Sequence, residues 1–265
     1  MLPLGMSAWF GFSLPLEERL KLIKQAGFDT TCLWFGVEED TVRDGESDRM
    51  PALVRNTGLL LDNIHATFLN HHLIWSAPLD DEVLRIREEL KATLAFCTRH
   101  DVPLMVAHLT TKYCTSPPNE KGLEIVYDLV TQAEKLGVTI ALENTRRPEY
   151  LEYIFSNIQS LNLRFCYDSS HDFLPDHSRG ELLSRWGHLL VTTHISDNKG
   201  LDDDHLLPGR GTIDWQAIEK NFPKNIYRGA ILLETDGPEA GKGLTPEEFL
   251  QTGYEWLHNW AEKLE

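Results

Sequence analysis

The sequence predicts a single (β/α)8 barrel, and three observations support this prediction. Eight short apolar runs alternate with eight amphipathic segments, at about 30 residues per unit. Six successive runs end on a histidine or a carboxylate, which is typical where the carboxyl ends of parallel strands build a site. The length of 265 residues suits one α/β barrel, and no linker or low-complexity segment divides the chain. We therefore expect one domain over residues 1–265.

The predicted elements follow one another along the whole chain. Strands are expected at residues 2–7, 30–34, 59–65, 103–108, 138–143, 163–168, 189–194 and 227–234. Helices are expected at residues 16–28, 50–58, 80–100, 120–136, 148–156, 180–186, 214–221 and from 246 onward. Gly27 and Gly137 stand where helices should end, because glycine readily adopts the left-handed conformation found there. Thr245, Pro246 and Glu248 form a capping-box pattern that predicts the start of the last helix.

Charge and cysteine content narrow the class of protein. The net charge of −16 opposes binding to a polyanion, so we expect no nucleic-acid partner. The four cysteines lie far apart without a CxxC pair, which favours reduced thiols over a disulfide framework. The apolar start MLPLGMSAWFGF has neither the basic region nor the cleavage site of a signal peptide, and no run approaches the ~18 apolar residues of a membrane span. These features predict a cytoplasmic protein with no membrane partner.

Four consecutive predicted strands end on residues that bind divalent cations. Glu143, Asp168, His194 and Glu234 should converge from adjacent strands at one end of the barrel. Carboxylates gathered so closely need a cation to remain ionised, and this set can hold one while leaving positions for substrate or water. The oxygen-rich set favours Mn²⁺, Mg²⁺ or Co²⁺, and the histidine leaves Zn²⁺ open. The sequence therefore predicts one divalent ion.

Further polar residues should surround this ion. His171, in the segment CYDSSH, is expected on a loop that faces the ion, where it would contact a substrate hydroxyl. His65 and His108 end the third and fourth strands, and Asp203 and His205 form an Asp-x-His pair after the seventh. These four residues could extend the site to two or three metal ions, such as Zn²⁺. Alternatively, the histidines would bond to substrate hydroxyls or carboxylates, and the acidic loop would be solvated.

Aromatic and basic residues are candidates for the substrate pocket. Trp9, Phe10 and Trp34 follow or end the first two strands and could form an apolar wall, with packing in the core as the alternative. Arg210 could contact substrate. A phosphate group on the substrate could be bound by one of five basic residues, which are Lys112, Arg146, Arg147, Lys199 and Arg210. Asp197 is expected to support His194 or to order its loop.

At these residues the sequence resembles the xylose isomerase-like TIM-barrel superfamily of sugar isomerases and epimerases. The similar segments are ALENT, CYDSSH, HISD, DDDHLLPGRGTIDW and LLETD, and the likeness covers the whole chain. The resemblance to ketose epimerases implies that the four strand-end residues bind one divalent ion and that His171 contacts substrate. It also implies that Glu143 and Glu234 relay a proton on opposite faces of the substrate carbon. Gly200 stands where those epimerases usually have an arginine that contacts substrate oxygens.

The same superfamily contains the endonuclease IV type of abasic-site nuclease, and this resemblance implies a larger metal site. All nine of its metal ligands have counterparts here in type and order, which are His65, His108, Glu143, Asp168, His171, His194, Asp203, His205 and Glu234. Nuclease activity is opposed by the negative net charge and by the absence from the sequence of a basic, aromatic-rich loop to follow a DNA backbone.

The sequence thus predicts a metal-dependent isomerase or epimerase of a small sugar, sugar phosphate, polyol or cyclitol. The reaction would proceed by proton abstraction next to a carbonyl group. The alternatives are a metal-dependent hydrolase or lyase with a two- or three-metal site, and a barrel that binds a ligand without catalysis. The sequence leaves open whether the protein forms a homo-oligomer.

Overall fold

Eight parallel strands close into a barrel in chain order, and β1 pairs with β8. The computed structural model describes residues 1–35, 47–111, 113–174, 179–237 and 243–264. The strands are β1 (Leu4–Ser7), β2 (Thr30–Trp34), β3 (Leu60–His65), β4 (Leu104–Ala107), β5 (Thr139–Glu143), β6 (Leu163–Asp168), β7 (Leu190–Ile195) and β8 (Ile231–Leu233). The (β/α)8 fold and its single domain are therefore confirmed.

Helices separate the strands along the chain. They are α1 (Leu16–Gln25), α2 (Met50–Asn56), α3 (Leu73–Ser76), α4 (Asp81–Arg99), α5 (Glu120–Leu136), α6 (Pro148–Asn157), α7 (Ser169–Asp172), α8 (Glu181–Trp186), α9 (Trp215–Asn221) and α10 (Pro246–Ala261). The predicted capping box at Thr245 and Glu248 is present at the start of α10. Within the described ranges, none of these helices has the length and apolar character needed to cross a membrane.

The main differences from the predicted elements lie at β8 and at two one-turn helices. The prediction placed the start of β8 at residue 227, whereas pairing begins at Ile231. The hydroxyl of Tyr227 donates a hydrogen bond to the carbonyl of Ala230, and residues 227–230 lie ahead of the strand without pairing to β7 or β1. The helices α3 and α7 were not predicted, because each is a single turn of four residues and too short to show helical periodicity.

The apolar core has two parts, one outside the barrel and one inside it. Most buried apolar side chains pack between the sheet and the surrounding helices. A small inner cluster consists of Leu104, Val106, Ala141 and Cys166. Ala141 and Cys166 lie two residues before the ends of β5 and β6, so they share the inward face with the strand-end residues above them. The inner cluster therefore forms an apolar floor beneath the carboxyl ends of the strands.

The segment that contains α3 holds the loop after β4 in place. Nδ1 of His71 lies 2.7 Å from the carbonyl oxygen of His108, and the indole N–H of Trp75 donates to the carbonyl of Leu109 at 2.7 Å. Burial lowers the pKa of His71 to about 4, so this ring is neutral at physiological pH and donates from Nδ1. Gly122 in α5 leaves room for the Trp75 ring, since a Cβ at this position would lie 2.1 Å from it.

We expect Gly122→Ala to destabilise the protein, although alanine is the better helix former by about 1 kcal/mol. The added methyl group would collide with the buried Trp75 ring, and such overpacking typically costs about 1–3 kcal/mol. Denaturant unfolding should therefore show a lower free energy of unfolding for the variant. In a Trp75→Leu background the same change should be neutral or stabilising. A stabilising effect of Gly122→Ala in the wild-type background would refute this account of the packing.

Candidate metal centre

Four strand-end residues meet at the carboxyl end of the barrel. Glu143, Asp168, His194 and Glu234 each offer one ligand atom, and these atoms lie within 4.8 Å of one another. Nδ1 of His194 is 2.8 Å from Oε2 of Glu143 and 3.1 Å from Oε2 of Glu234. All four residues are buried. The register explains the meeting, because Asp168 pairs with His194 and adjacent parallel strands end at one level.

Glu143 lies at the centre of this group. Its Oε1 atom is 3.0 Å from Nε2 of His108 and 3.4 Å from Nδ1 of His171. Its Oε2 atom contacts His194 and lies 3.4 Å from Nε2 of His65. The side chain of Glu143 has no exposed surface, so four imidazole rings replace water around one carboxylate.

A second acidic residue gathers histidines nearer to solvent. Oδ2 of Asp203 lies 3.2 Å from Nε2 of His171 and 2.9 Å from Nε2 of His205. Its other oxygen accepts a hydrogen bond from the Ser170 hydroxyl at 2.6 Å. His205 has a left-handed backbone with φ of 47°, which is costly for a residue other than glycine. This conformation places its Nδ1 3.1 Å from the carbonyl oxygen of Glu234. The Asp-x-His pair thus reaches the centre predicted from the sequence.

Opposing effects of burial and charge set the protonation of the central residues. Burial alone would raise the pKa of Glu143, but His108 and His194 outweigh it and hold that pKa well below the ordinary value. Burial also opposes a charged His194, yet the neighbouring Glu143 and Glu234 raise its pKa well above the ordinary value. At Asp168 burial prevails and raises the pKa to about 8. Without a cation, the centre therefore carries protons at neutral pH.

His171 and Asp203 form an ion pair above Glu143. Burial alone would lower the pKa of His171, but Asp168 and Asp203 raise it well above the ordinary value. Burial alone would raise the pKa of Asp203, but His171 and His205 lower it well below the ordinary value. His171 is therefore cationic, with Nδ1 directed at Glu143 and Nε2 at Asp203.

The donor atoms fit a divalent cation. Among the described residues, sixteen buried side-chain nitrogen or oxygen atoms make no hydrogen bond of good geometry. Eight of these sixteen belong to this centre, including both oxygens of Glu143, both ring nitrogens of His194 and Oδ2 of Asp168. Buried polar atoms are normally satisfied, so this concentration is the expected signature of a missing partner. A cation bound to Glu143, Asp168 and one ring nitrogen of His194 would give these ligand atoms a partner.

Polar residues next to the strand ends fix their spacing, a role that was not predicted from the sequence. The side chain of Asn144 bonds the backbone of Asp168 twice, accepting from its N–H and donating to its carbonyl at 2.8 Å. Ser169 does the same with Ser196, donating to its carbonyl at 2.7 Å and accepting from its N–H at 3.0 Å. These four bonds connect β5 to β6 and β6 to β7 just beyond the ligands. The one available signal was a polar residue directly after Glu143 and directly after Asp168.

Asp197 orders the loop after β7, which was one of its two predicted roles. The fully buried carboxylate accepts hydrogen bonds from the backbone N–H groups of Gly209 and Ile213 and from the indole of Trp215. A backbone bridge between Asp197 and Leu206 closes the base of the loop. This loop carries Asp203 and His205 to the centre.

A cavity of about 680 Å³ opens above the centre. Its lining includes His108, His171, Asp203, His205 and Glu234, so part of the centre faces solvent.

The residues predicted for the pocket wall have different positions. Trp34 lines the cavity. Phe10 is fully buried and stacks on Phe249 of α10, so it takes the alternative of packing in the core and not a place in the wall. Trp9 packs beneath the guanidinium of Arg19, and Arg210 is exposed on the loop after β7.

Of the basic residues considered for a phosphate group, Arg146 lines the cavity. Its guanidinium lies 3.4 Å from the carbonyl oxygen of Leu201 and 3.5 Å from Asp202. Arg147 donates to the carbonyl of Cys114, and Lys199 pairs with Asp204. Lys112 lies outside the described residues.

A family model matches most of the chain and agrees with this fold. Residues 20–260 match the family model described as xylose isomerase-like TIM barrel. The chain belongs to this family. One relative is the uncharacterized protein y4fM of Sinorhizobium fredii (strain NBRC 101917 / NGR234), 29% identical over 259 residues, covering 83% of this chain and 81% of that protein. Another is the uncharacterized protein MJ1311 of Methanocaldococcus jannaschii, 31% identical over 125 residues, covering 43% of each chain.

Solved structures with the same fold include several sugar epimerases. The structure of L-ribulose 3-epimerase has a TM-score of 0.80 at 17% identity, covering 100% of this chain and 96% of that chain. IOLI protein with a binding zinc atom has a TM-score of 0.80 at 20% identity, covering 100% and 99%. The 3-keto-D-glucoside 4-epimerase YcjR of E. coli has a TM-score of 0.73 at 18% identity, covering 98% and 100%. At these identities the similarity shows the fold.

We expect a divalent cation to release protons from the centre when it binds at neutral pH. Asp168 and His194 have raised pKa values in the cation-free protein, and both must lose their protons to act as ligands. The affinity should therefore rise with pH up to about 8, the value to which the pKa of Asp168 is raised. Calorimetric titration with Mn²⁺ in buffers of different ionisation enthalpy measures the protons released. An identical heat in all buffers would contradict this protonation state, and Asp168→Asn should release fewer protons than the wild type.

We also expect Asn144→Ala to weaken cation binding by about 10–100-fold, the usual effect of removing a group that orients a ligand. Asn162 provides a matched control, because its side chain links the same two strands at their opposite end by donating to the carbonyl of Val138 at 2.8 Å. Asn162→Ala should cost stability but leave Mn²⁺ affinity close to that of the wild type. Equal losses of affinity in both variants would show that Asn144 acts through general stability alone.

Proposed function

We propose that this protein is a divalent-metal-dependent isomerase or epimerase of a small sugar or polyol. The observation that carries the proposal is the set of three buried carboxylates and one histidine at the base of an open cavity, with many of their donor atoms lacking a hydrogen bond. This arrangement can hold a cation firmly and still leave one of its sides open to a ligand. Glu143, Asp168, His194 and Glu234 would be the ligands; their oxygen atoms favour Mn²⁺, Mg²⁺ or Co²⁺, and the histidine leaves Zn²⁺ open.

Glu143 and Glu234 are the candidates for proton transfer. A bound divalent ion would supply Lewis acidity. This would make the C–H group next to the carbonyl of the open-chain substrate, on the carbon that carries the hydroxyl group, more acidic. One glutamate would accept the proton from carbon, leaving the electron pair delocalised as an enediolate, and the other would return a proton. Glu234 lines the cavity, whereas Glu143 is enclosed by histidines. We therefore assign the first contact with the substrate to Glu234.

The histidines would orient the substrate. His171 lines the cavity with both ring nitrogens directed at carboxylates, so a substrate oxygen would replace Asp203 as the partner of Nε2. His108 also lines the cavity, with Nε2 directed at Glu143. Several solved structures of this fold are described as sugar epimerases, and the IOLI structure contains zinc. These descriptions support the reaction class and the use of a metal.

A second candidate is a metal-dependent hydrolase or lyase with two or three ions. Two further groups of metal-binding residues share Glu143, one with His65 and His194 and the other with His108 and His171. Asp203 and His205 lie close enough to His171 to add ligands. Several bound ions would favour activation of water over proton transfer at carbon. The number of ions bound per chain separates the two candidates.

The proposal is tested by Glu234→Gln. The metal-loaded wild type should move deuterium from D₂O into the carbon next to the carbonyl of ketoses or cyclitol ketones, followed by NMR. The variant should lose at least about a hundredfold of this rate, since a positioned acid or base typically contributes 10²–10⁴-fold.

Glu247→Gln provides the matched control, because Glu247 is exposed in the first turn of α10. Its exchange rate should equal that of the wild type. A near-normal exchange rate in a folded Glu234→Gln protein would refute the proton-transfer assignment, and nicking of abasic DNA without exchange would favour the hydrolase.

A further inference from the structure

The cavity above the metal centre has two chemically different walls. The loops after β5 to β8 contribute a polar wall, which is formed by Arg146, His171, Asp202, Asp203, His205 and Glu234. The end of β2 and the loops after β3 and β4 contribute four aromatic or aliphatic side chains, which form the apolar wall (Trp34, Phe68, Leu69 and Tyr113), beside five polar ones, which are Asn70, His72, His108, Thr110 and Thr111. A ligand that carries only hydroxyl groups would use the polar residues and would meet the apolar wall only through the C–H faces of its ring.

The apolar wall begins at the metal centre itself. The Trp34 indole stacks on the His65 ring with centroids 4.1 Å apart and planes inclined by 12°. The Phe68 ring meets Trp34 edge-on at 5.6 Å and lies 5.6 Å from the His108 ring. The indole nitrogen of Trp34 is buried and makes no hydrogen bond to the described residues. An apolar surface thus runs from His65 and His108 toward the mouth of the cavity.

The apolar wall ends in two side chains that are mostly in water. Leu69 is 68% exposed and Tyr113 is 67% exposed, and both line the cavity. The backbone N–H of Tyr113 donates to the Thr111 hydroxyl, which lies 3.1 Å from Nδ1 of His72, so the segment is anchored. Large apolar side chains grouped at the mouth of a pocket usually mark contact with a ligand.

The size of the cavity is consistent with a ligand larger than a monosaccharide. Its volume of about 680 Å³ lies in the middle of the range for pockets that enclose drug-sized molecules, roughly 300–1,000 Å³. We infer that the substrate is a sugar joined to an apolar ring, with the sugar at the polar wall and the ring between Trp34, Phe68, Leu69 and Tyr113. The sugar end of this inference rests on the proposed function, whereas the ring site rests on the apolar wall alone.

The experiment compares two probes that differ in one ring, methyl β-D-glucopyranoside and phenyl β-D-glucopyranoside. Calorimetry or ligand-observed NMR on the Mn²⁺-loaded protein gives both affinities. The phenyl glucoside should bind about tenfold more tightly, a ratio that burial of part of an aromatic ring can supply. Tyr113→Ala and Leu69→Ala should each reduce this ratio to about threefold or less. Leu161→Ala is the control, because Leu161 is 82% exposed but precedes β6 at the opposite end of the barrel, and the ratio should not change.

Three results would overturn the inference. The first is a phenyl glucoside that binds no more tightly than the methyl glucoside, including the case in which neither binds. The second is a preference that survives Tyr113→Ala combined with Leu69→Ala. The third is a dimer, detected by light scattering, that dissociates in Tyr113→Ala, because a second copy would then cover the apolar wall. A phenyl preference without deuterium exchange would contradict the proposed function and support the ring site. Deuterium exchange without a phenyl preference would support the proposed function and contradict the ring site.

Discussion

The burial of Glu143 among four histidines is the constraint on which the rest of the site depends. A carboxylate with no exposed side-chain surface is costly unless opposite charge or hydrogen bonds replace its water. His108 and His194 lower its pKa, and the same contacts raise the pKa of His194. The cation-free site is thus held together by protons on His194, His171 and Asp168. A divalent ion can replace these protons. Its binding would then raise the free energy of unfolding of the barrel.

The closed parallel barrel makes this concentration of charge possible. Each strand delivers its last inward residue to the same end, while the apolar cluster of Leu104, Val106, Ala141 and Cys166 lies beneath. Water therefore reaches the centre from the cavity side. Asn144 and Ser169 then fix the distances between neighbouring strand ends with short hydrogen bonds. The fold sets the approximate position of each ligand, and these side chains set the spacing.

The position of a ligand could be predicted from the sequence where the signal for it lies within one strand. The strand ends at Glu143 and Asp168 could be predicted because an apolar run that stops on a charged residue is a local signal, and these boundaries agree with the structure. The bonds of Asn144 and Ser169 could not be predicted, because their partners lie 24 and 27 residues away and depend on strand register. The sequence left Phe10 open between the pocket wall and the core for a similar reason. Its burial depends on Phe249 of the last helix, which no local pattern reveals.

The most direct test of the account is the metal content of protein purified without chelator, measured by mass spectrometry after extensive dialysis. The account predicts about one Mn, Co, Mg or Zn ion per chain, and the loss of this ion in Glu143→Ala while the barrel remains folded by circular dichroism. Retention of two or three zinc ions would favour the hydrolase or lyase. A wild-type protein that retains no ion and binds none on addition of Mn²⁺, Co²⁺ or Zn²⁺ would contradict the central claim that these buried carboxylates and histidines form a metal site.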